Sequence, residues 1–262
     1  MFSPFDFNEA DRHRRDHVED RLREGSPIVG ISFDTGLLLL TVRQTQRKVF
    51  EIYDRLVYSA MGHQSDVEAI RVGSINFAHQ EGFDRSPDDV TAQRLVGFQL
   101  SPPLKRLFGD QFNAPAVIRA VFGELGTTPA EDAFFILNYD GEFTQAHAFA
   151  AIAGTQEAED RMSLWLMGVG PETTRDQALE RGLKAWAVGA MESRRKRSDK
   201  DEENVPDPLL DVEEGERLAG FLRQELKTSE VEVGVLERNS TRESKFRLLG
   251  TEDLKDLLRD YS

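Results

Sequence analysis

Residues 27–42 constrain this chain more than any other stretch. Pro27-Ile28-Val29-Gly30-Ile31-Ser32-Phe33 is followed by a turn at Asp34-Thr35-Gly36 and then by Leu37-Leu38-Leu39-Leu40-Thr41-Val42. The turn predicts a β-hairpin. Neither strand alternates apolar with polar residues, so both faces of the hairpin need a cover. A sheet made of such strands has to sit inside a layered molecule, with other elements above and below it. At 262 residues the chain is long enough to bury that core without covalent staples.

The rest of the chain supplies the covering elements in groups. Residues 10–25 read as a charged helix with a narrow apolar stripe, Val18 and Leu22, closed by Gly25. A second hairpin follows, with strands at 48–52 and 56–60 joined at Tyr53-Asp54-Arg55. The period then changes: Val67, Ile70, Ser74 and Phe77 fall at helical spacing behind Asp66 as the cap. Another helix starts at Ser86-Pro87-Asp88-Asp89; Pro102-Pro103 interrupts it, and Ser101 caps a continuation to Phe108. Strands are predicted at 116–122, at 133–137 and, beyond the Asp140-Gly141 turn, at 146–152. Two helices come next, capped at Thr155 and near Thr173. A helix end at 218–226, a strand pair at 231–236 and 245–249, and a helix opened by Thr251-Glu252-Asp253-Leu254 complete the pattern. Hairpins alternating with helix pairs argue for antiparallel sheets rather than a βαβ wrap. The expected fold is α+β, a four-layer αββα sandwich of two stacked sheets with helices outside each.

Composition removes several function classes. There is no cysteine, hence no disulfide, thiolate nucleophile, Cys-ligated zinc or iron–sulfur cluster. Acidic residues outnumber basic ones 47 to 33, a net charge of −14, which does not suit a nucleic-acid backbone. No stretch approaches the roughly 20 apolar residues of a membrane span. Residues 1–25 lack a basic start followed by an apolar block, so no secretion signal is expected, and the expected location is cytoplasmic. Nine of the acids lie between Asp199 and Glu216, against Lys200 alone; residues 192–216 are expected to form a charged, mobile insertion. The basic run Arg194-Arg195-Lys196-Arg197 reads as a helix end whose cations face those acids. His13 and His17 share a helix face, but Arg14 stands where a zinc protease needs Glu, and no third ligand is evident. Phosphate-binding glycine loops and a GxSxG elbow are absent. Neither a metal nor a cofactor is expected.

Lys48-Val49-Phe50-Glu51-Ile52-Tyr53-Asp54-Arg55, followed by an apolar strand, Gly62 and a helix rich in small residues, resembles the second hairpin and first long helix of proteasome subunits. Arg71-Val72-Gly73 and Asp89-Val90-Thr91 extend the likeness to the α-type subunit of the bacterial proteasome core particle. It resumes at Val231-Glu232-Val233-Gly234-Val235-Leu236-Glu237-Arg238 and at Phe246-Arg247-Leu248-Leu249, so it spans most of residues 10–192 and 228–260. The resemblance implies an N-terminal nucleophile (Ntn) hydrolase fold, the same αββα sandwich, with residues 1–262 as one domain. In catalytic relatives a threonine freed by self-cleavage attacks the peptide bond, its own amine serving as base. Here the first threonine is Thr35, inside the hairpin turn. The nucleophile's place falls at Ser26-Pro27, and Val42 stands where an acidic partner is expected. The resemblance therefore implies a non-catalytic subunit of a threonine-type endopeptidase complex. The alternative is an autonomous hydrolase, self-processed to expose Ser26 as nucleophile.

As an α-type subunit the chain is expected to form a homo-heptameric ring that caps a proteolytic ring of β subunits. The helix at 10–25 would lie on the outer face of that ring. Residues 1–9 would converge on the axis as a gate, with Met1, Phe2, Ser3, Pro4, Phe5, Asp6 and Phe7 as its plug. Lys48 is expected to pair with the C-terminal carboxylate of a ring-forming AAA+ ATPase activator, and Gly25 and Ser26 to complete that pocket. The Tyr-Asp-Arg gate signature of archaeal relatives is missing ahead of the first helix.

Overall fold

The computed structural model describes residues 4–195 and 212–261. In chain order they begin with α1 (Pro4–Leu22), β1 (Ile28–Phe33), β2 (Gly36–Arg43), β3 (Val49–Tyr53), β4 (Leu56–Gly62), α2 (Gln64–Asp84), α3 (Ala92–Arg94) and α4 (Ser101–Gly109). There follow β5 (Ile118–Glu124), β6 (Ala133–Leu137), β7 (Phe143–Ala146), β8 (Phe149–Ile152), α5 (Gln156–Leu166) and α6 (Arg175–Arg194). Beyond residue 211 lie α7 (Val212–Glu225), β9 (Glu230–Glu237), β10 (Phe246–Leu248) and α8 (Lys255–Leu258). The strands form two five-stranded antiparallel sheets, β10-β9-β2-β1-β8 and β3-β4-β5-β6-β7.

The sheets stack face to face, as the hairpin required. In β2, Leu38, Leu40 and Val42 pack with Met162 of α5 and Leu183 and Trp186 of α6. Leu37 and Leu39 point the other way, into a layer shared with Val57, Val121 and Phe134 of the second sheet. That split explains the missing alternation: both sides of the strand are core. The outer face of the second sheet carries Tyr58, Phe122 and Phe135, covered by α2 and the segment from Val90 to Leu104. The four-layer αββα order is therefore present. Gly30 lets the sheets approach, because a Cβ there would lie 2.7 Å from the Phe134 ring. Gly62 turns the chain into α2 at φ +134°, against the carbonyl of Val117, where no side chain fits.

Several boundaries differ from the sequence reading. α1 starts at Pro4, not at 10, and ends at Leu22, so the backbone of residues 4–9, assigned to the gate, is helical. Its apolar stripe is as narrow as expected, yet Val18 and Leu22 are fully buried at one end of the inter-sheet layer. The helix reaches that position because Arg14 donates to the carbonyls of Leu107, Phe108 and Asn113, while Arg15 pairs with Asp140 at 2.9 Å. Asp66 does not cap α2; its carboxylate accepts from Val117 N–H at 2.8 Å. Pro102 and Pro103 open α4 instead of breaking a helix, since proline fits a first turn whose N–H groups have no partner. Ser101 caps nothing and donates to Gly141 O.

The strand expected at 146–152 is two strands in different sheets. Ala148 takes a positive φ of 59° between them and carries the chain from β7 across to β8. Of the insertion expected at 192–216, residues 192–194 finish α6 and 212–216 begin α7. Residues 196–211 lie outside the described residues.

Polar ties join the two sheets at the layer's ends. Asp132, wholly buried ahead of β6, accepts from Ser32 Oγ of β1 at 2.6 Å, from Gly126 N–H at 2.8 Å, and from both terminal nitrogens of Arg238 at 3.0 and 2.8 Å. Asp132→Ala would strand a buried guanidinium, and breaking such a pair costs about 3–5 kcal/mol. Urea denaturation should show a loss of that size, and a smaller one when Arg238→Met accompanies it.

Candidate functional site

The end of α1 and the start of β1 meet the end of α6 beside a cavity of about 290 Å³. α1 closes where Gly25 N–H bonds to Leu22 O at 2.8 Å, and the chain turns through Ser26-Pro27 into β1. Gly25, Ser26, Val42, Lys48, Trp186 and Arg194 are among the residues that line the cavity. The structure thus brings together the three residues singled out for the pocket, Lys48, Gly25 and Ser26.

Lys48 is held at its backbone. Its N–H and that of Val49 donate to the carboxylate of Glu232, at 3.1 and 3.0 Å. Glu232 is buried on β9 and also meets Arg43 at 3.3 Å. The Lys48 side chain is half-buried, and burial lowers its pKa, the charge on Glu232 opposing that shift. No acceptor among the described residues lies within hydrogen-bonding reach of its ammonium. Folding therefore works against this charge, a cost relieved as pH rises past the lowered pKa. An anion brought against the amine offsets the same cost. The site suits a carboxylate.

Ser26 is fastened differently. Its hydroxyl donates to Val42 O at 2.7 Å and accepts from the Trp186 indole N–H at 3.1 Å. Thr41 Oγ1, 3.2 Å away, donates to Pro27 O. A carbonyl, an indole N–H and a committed hydroxyl surround Ser26 Oγ, and none of these takes a proton as a general base does. The arrangement fixes the loop between α1 and β1.

Across the cavity mouth, Arg194 of α6 and Glu225 of α7 form two bonds of 2.8 Å, and Arg194 stacks on Phe221. Those bonds hold the Glu225 carboxyl below the usual range and raise the Arg194 guanidinium. The sequence reading did not assign Trp186, Arg194, Glu225 or Glu232 to this site. They stand 138 or more positions beyond Lys48, and no local spacing announces them.

Met1, Phe2 and Ser3 of the expected gate lie outside the described residues, and Pro4, Phe5, Asp6 and Phe7 form the first turns of α1. His13 is exposed, 3.8 Å from Glu9. Among the described residues no group of three or more His, Asp or Glu converges to hold a metal ion, and no helix is long and apolar enough to cross a membrane.

The layered sheets and this junction place the chain among αββα sandwich proteins. No protein-family model matches it. Over nearly its whole length it is similar to bacterial proteins named proteasome subunit alpha. That of Frankia casuarinae is 27% identical across 260 residues, 95% of either chain. That of Xylanimonas cellulosilytica is 26% identical over 91% of this chain and 88% of its own. That of Thermobifida fusca is also 26% identical, over 95% of this chain and 87% of its own. The chain resembles the α-type subunit of the bacterial proteasome.

A carboxylate with a lowered folded pKa stabilises above its unfolded value, near 4.3, and loses that contribution as pH falls through the folded value. The difference in urea midpoint between the wild type and Glu225→Gln should be full at about pH 6 and shrink toward zero as pH falls below ~4.

Proposed function

We propose that this chain is a non-catalytic α-type subunit of a bacterial proteasome core particle, with residues 1–262 as a single α-type domain. In this reading it forms a homo-heptameric ring on a ring of threonine-type β subunits, in the cytoplasm. Its role is to admit substrates for degradation and to dock an AAA+ ATPase activator. The observation that carries the reading is the junction of α1 with β1. Where a catalytic relative would free a nucleophile, this chain has a complete helix, a tethered Ser26 and an apolar Val42. The end-to-end likeness to proteins named proteasome subunit alpha supports it further.

The Lys48 cavity is the activator pocket in this proposal. The ammonium, without a hydrogen-bond partner among the described residues, takes the C-terminal carboxylate of the ATPase, a charge-assisted bond in a partly dry site, while Gly25 and Ser26 complete the lining. Residues 1–7 act as the gate. With α1 beginning at Pro4, the plug would be the head of a helix rather than a loose strand.

Mixing the purified chain with its β subunit and weighing the product by native mass spectrometry tests the ring; two sevenfold rings of each subunit are expected. Lys48→Ala in that particle should abolish ATPase-stimulated protein degradation and leave hydrolysis of small peptides intact. Loss of both activities would give Lys48 an assembly role instead. Deleting residues 2–7 should speed hydrolysis of peptides by the intact particle, and an unchanged rate would remove the gate.

A further inference from the structure

β10 is three residues long and leaves the edge of its sheet unfinished. The last bond it directs to β9 runs from Leu249 N–H to Val233 O at 2.9 Å, after which the chain leaves the sheet through Gly250 toward α8. β9 extends further. Glu230, Val231 and Glu232 pair with Arg43, Val42 and Thr41 of β2 on one side, and among the described residues no strand pairs with them on the other. Amides and carbonyls alternate sides along an antiparallel strand. Because Val233 O faces β10, the N–H and C=O of Val231 also face the open side.

A cavity of about 840 Å³ lies along that edge, within the size range of ligand sites. Its apolar wall is built by Leu226, just past α7, by Val231 and Leu249, and by Leu254, Leu258 and Tyr261. Arg43, Arg47, Arg223 and Lys227 stand around it. The carboxylates at this edge are already engaged: Arg43 meets Glu230 at 2.6 Å and Glu232 at 3.3 Å, and Glu232 also takes two backbone N–H groups. Among the described residues Arg223 donates only to the carbonyl of Asp260, and the Lys227 ammonium has no partner. In a chain of net charge −14, this edge is positive.

We propose that the open edge of β9 takes an extended peptide from a partner protein, with acidic and apolar residues in alternation, as an added strand in line with β10. The N–H and C=O of Val231, without a strand partner among the described residues, call for a backbone, which a small anion does not supply. The two-residue period of a strand sends one set of side chains onto Leu226, Leu254 and Leu258 and the other toward Arg43 and Arg47. Lys227 and Arg223 attract the acidic set. This site adjoins the Lys48 cavity, sharing Thr45 and Ser229 with it, but it does not include Lys48, and the proposal stands without the proteasome reading.

The test is fluorescence anisotropy of the full chain with a dye-labelled, C-terminally amidated peptide, Glu-Leu-Glu-Val-Glu-Leu, which offers no free terminal carboxylate. Saturable binding is expected. It should weaken about tenfold or more, at least 1.4 kcal/mol, when alternate amides are N-methylated in the bonding register or when the peptide's Glu residues become Lys. Lys227→Glu in the chain should weaken it in the same direction. Absence of saturation, equal binding of the peptide N-methylated in either register, or equal binding of the lysine peptide would each overturn the proposal. So would binding that emerges only after deletion of residues 199–211, because the chain's own acidic segment would then be the occupant.

Discussion

A sheet with two apolar faces has no stable place except between two other layers. Everything else in this molecule follows from that constraint on β1 and β2. Burying Leu38 and Leu40 requires α5 and α6; burying Leu37 and Leu39 requires a second sheet, which in turn needs α2 to α4 on its far side. Three apolar layers between four structural ones are the minimum that closes this account, and the hydrophobic effect supplies the drive.

Such a sandwich is open at its ends, where the inter-sheet layer meets solvent, and the polar residues that matter collect there. At one end Asp132 and Arg238 tie the sheets together. Near the start of β1, α1 lays Val18 and Leu22 over the layer and is pinned by Arg14 and Arg15. Tyr139 donates to Glu19 of that helix at 3.0 Å, and its hydroxyl is pushed up to about 12 by burial first and then by Glu19. The Lys48 cavity is the space left beside this plug, polar because loop ends and helix ends meet there. Ser26, in the turn between α1 and β1, is tied to Val42 O and to the Trp186 indole.

Much of the fold was legible. The first two hairpins, the long helices and the αββα order follow from periodicity and turn chemistry, and Thr155 caps α5 as read, accepting from Ala158 N–H. The misreadings share a cause. Ser101 and Asp66 have the chemistry of helix caps, yet tertiary contacts with Gly141 and Val117 claim their side chains. The span 146–152 is continuously strand-like, and only the positive φ at Ala148 shows that it changes sheets. Within the pocket, Lys48, Gly25 and Ser26 could be named from the sequence, while Trp186 and Glu225, and Glu232 behind Lys48, could not.

What the sequence determined by itself was the kind of layering: strands greasy on both sides, hairpins in pairs, helices in pairs, and no cysteine to offer another route to stability. Those are local properties, set by side-chain size, polarity and backbone preference within a few residues. The tertiary structure alone decided which distant groups would face one another. It set the indole of Trp186 on Ser26, the carboxylate of Glu232 on the amides of Lys48 and Val49, and the short β10 against a longer β9. Contacts across such separations depend on how layers slide and twist into register, and that is settled by packing the whole core at once.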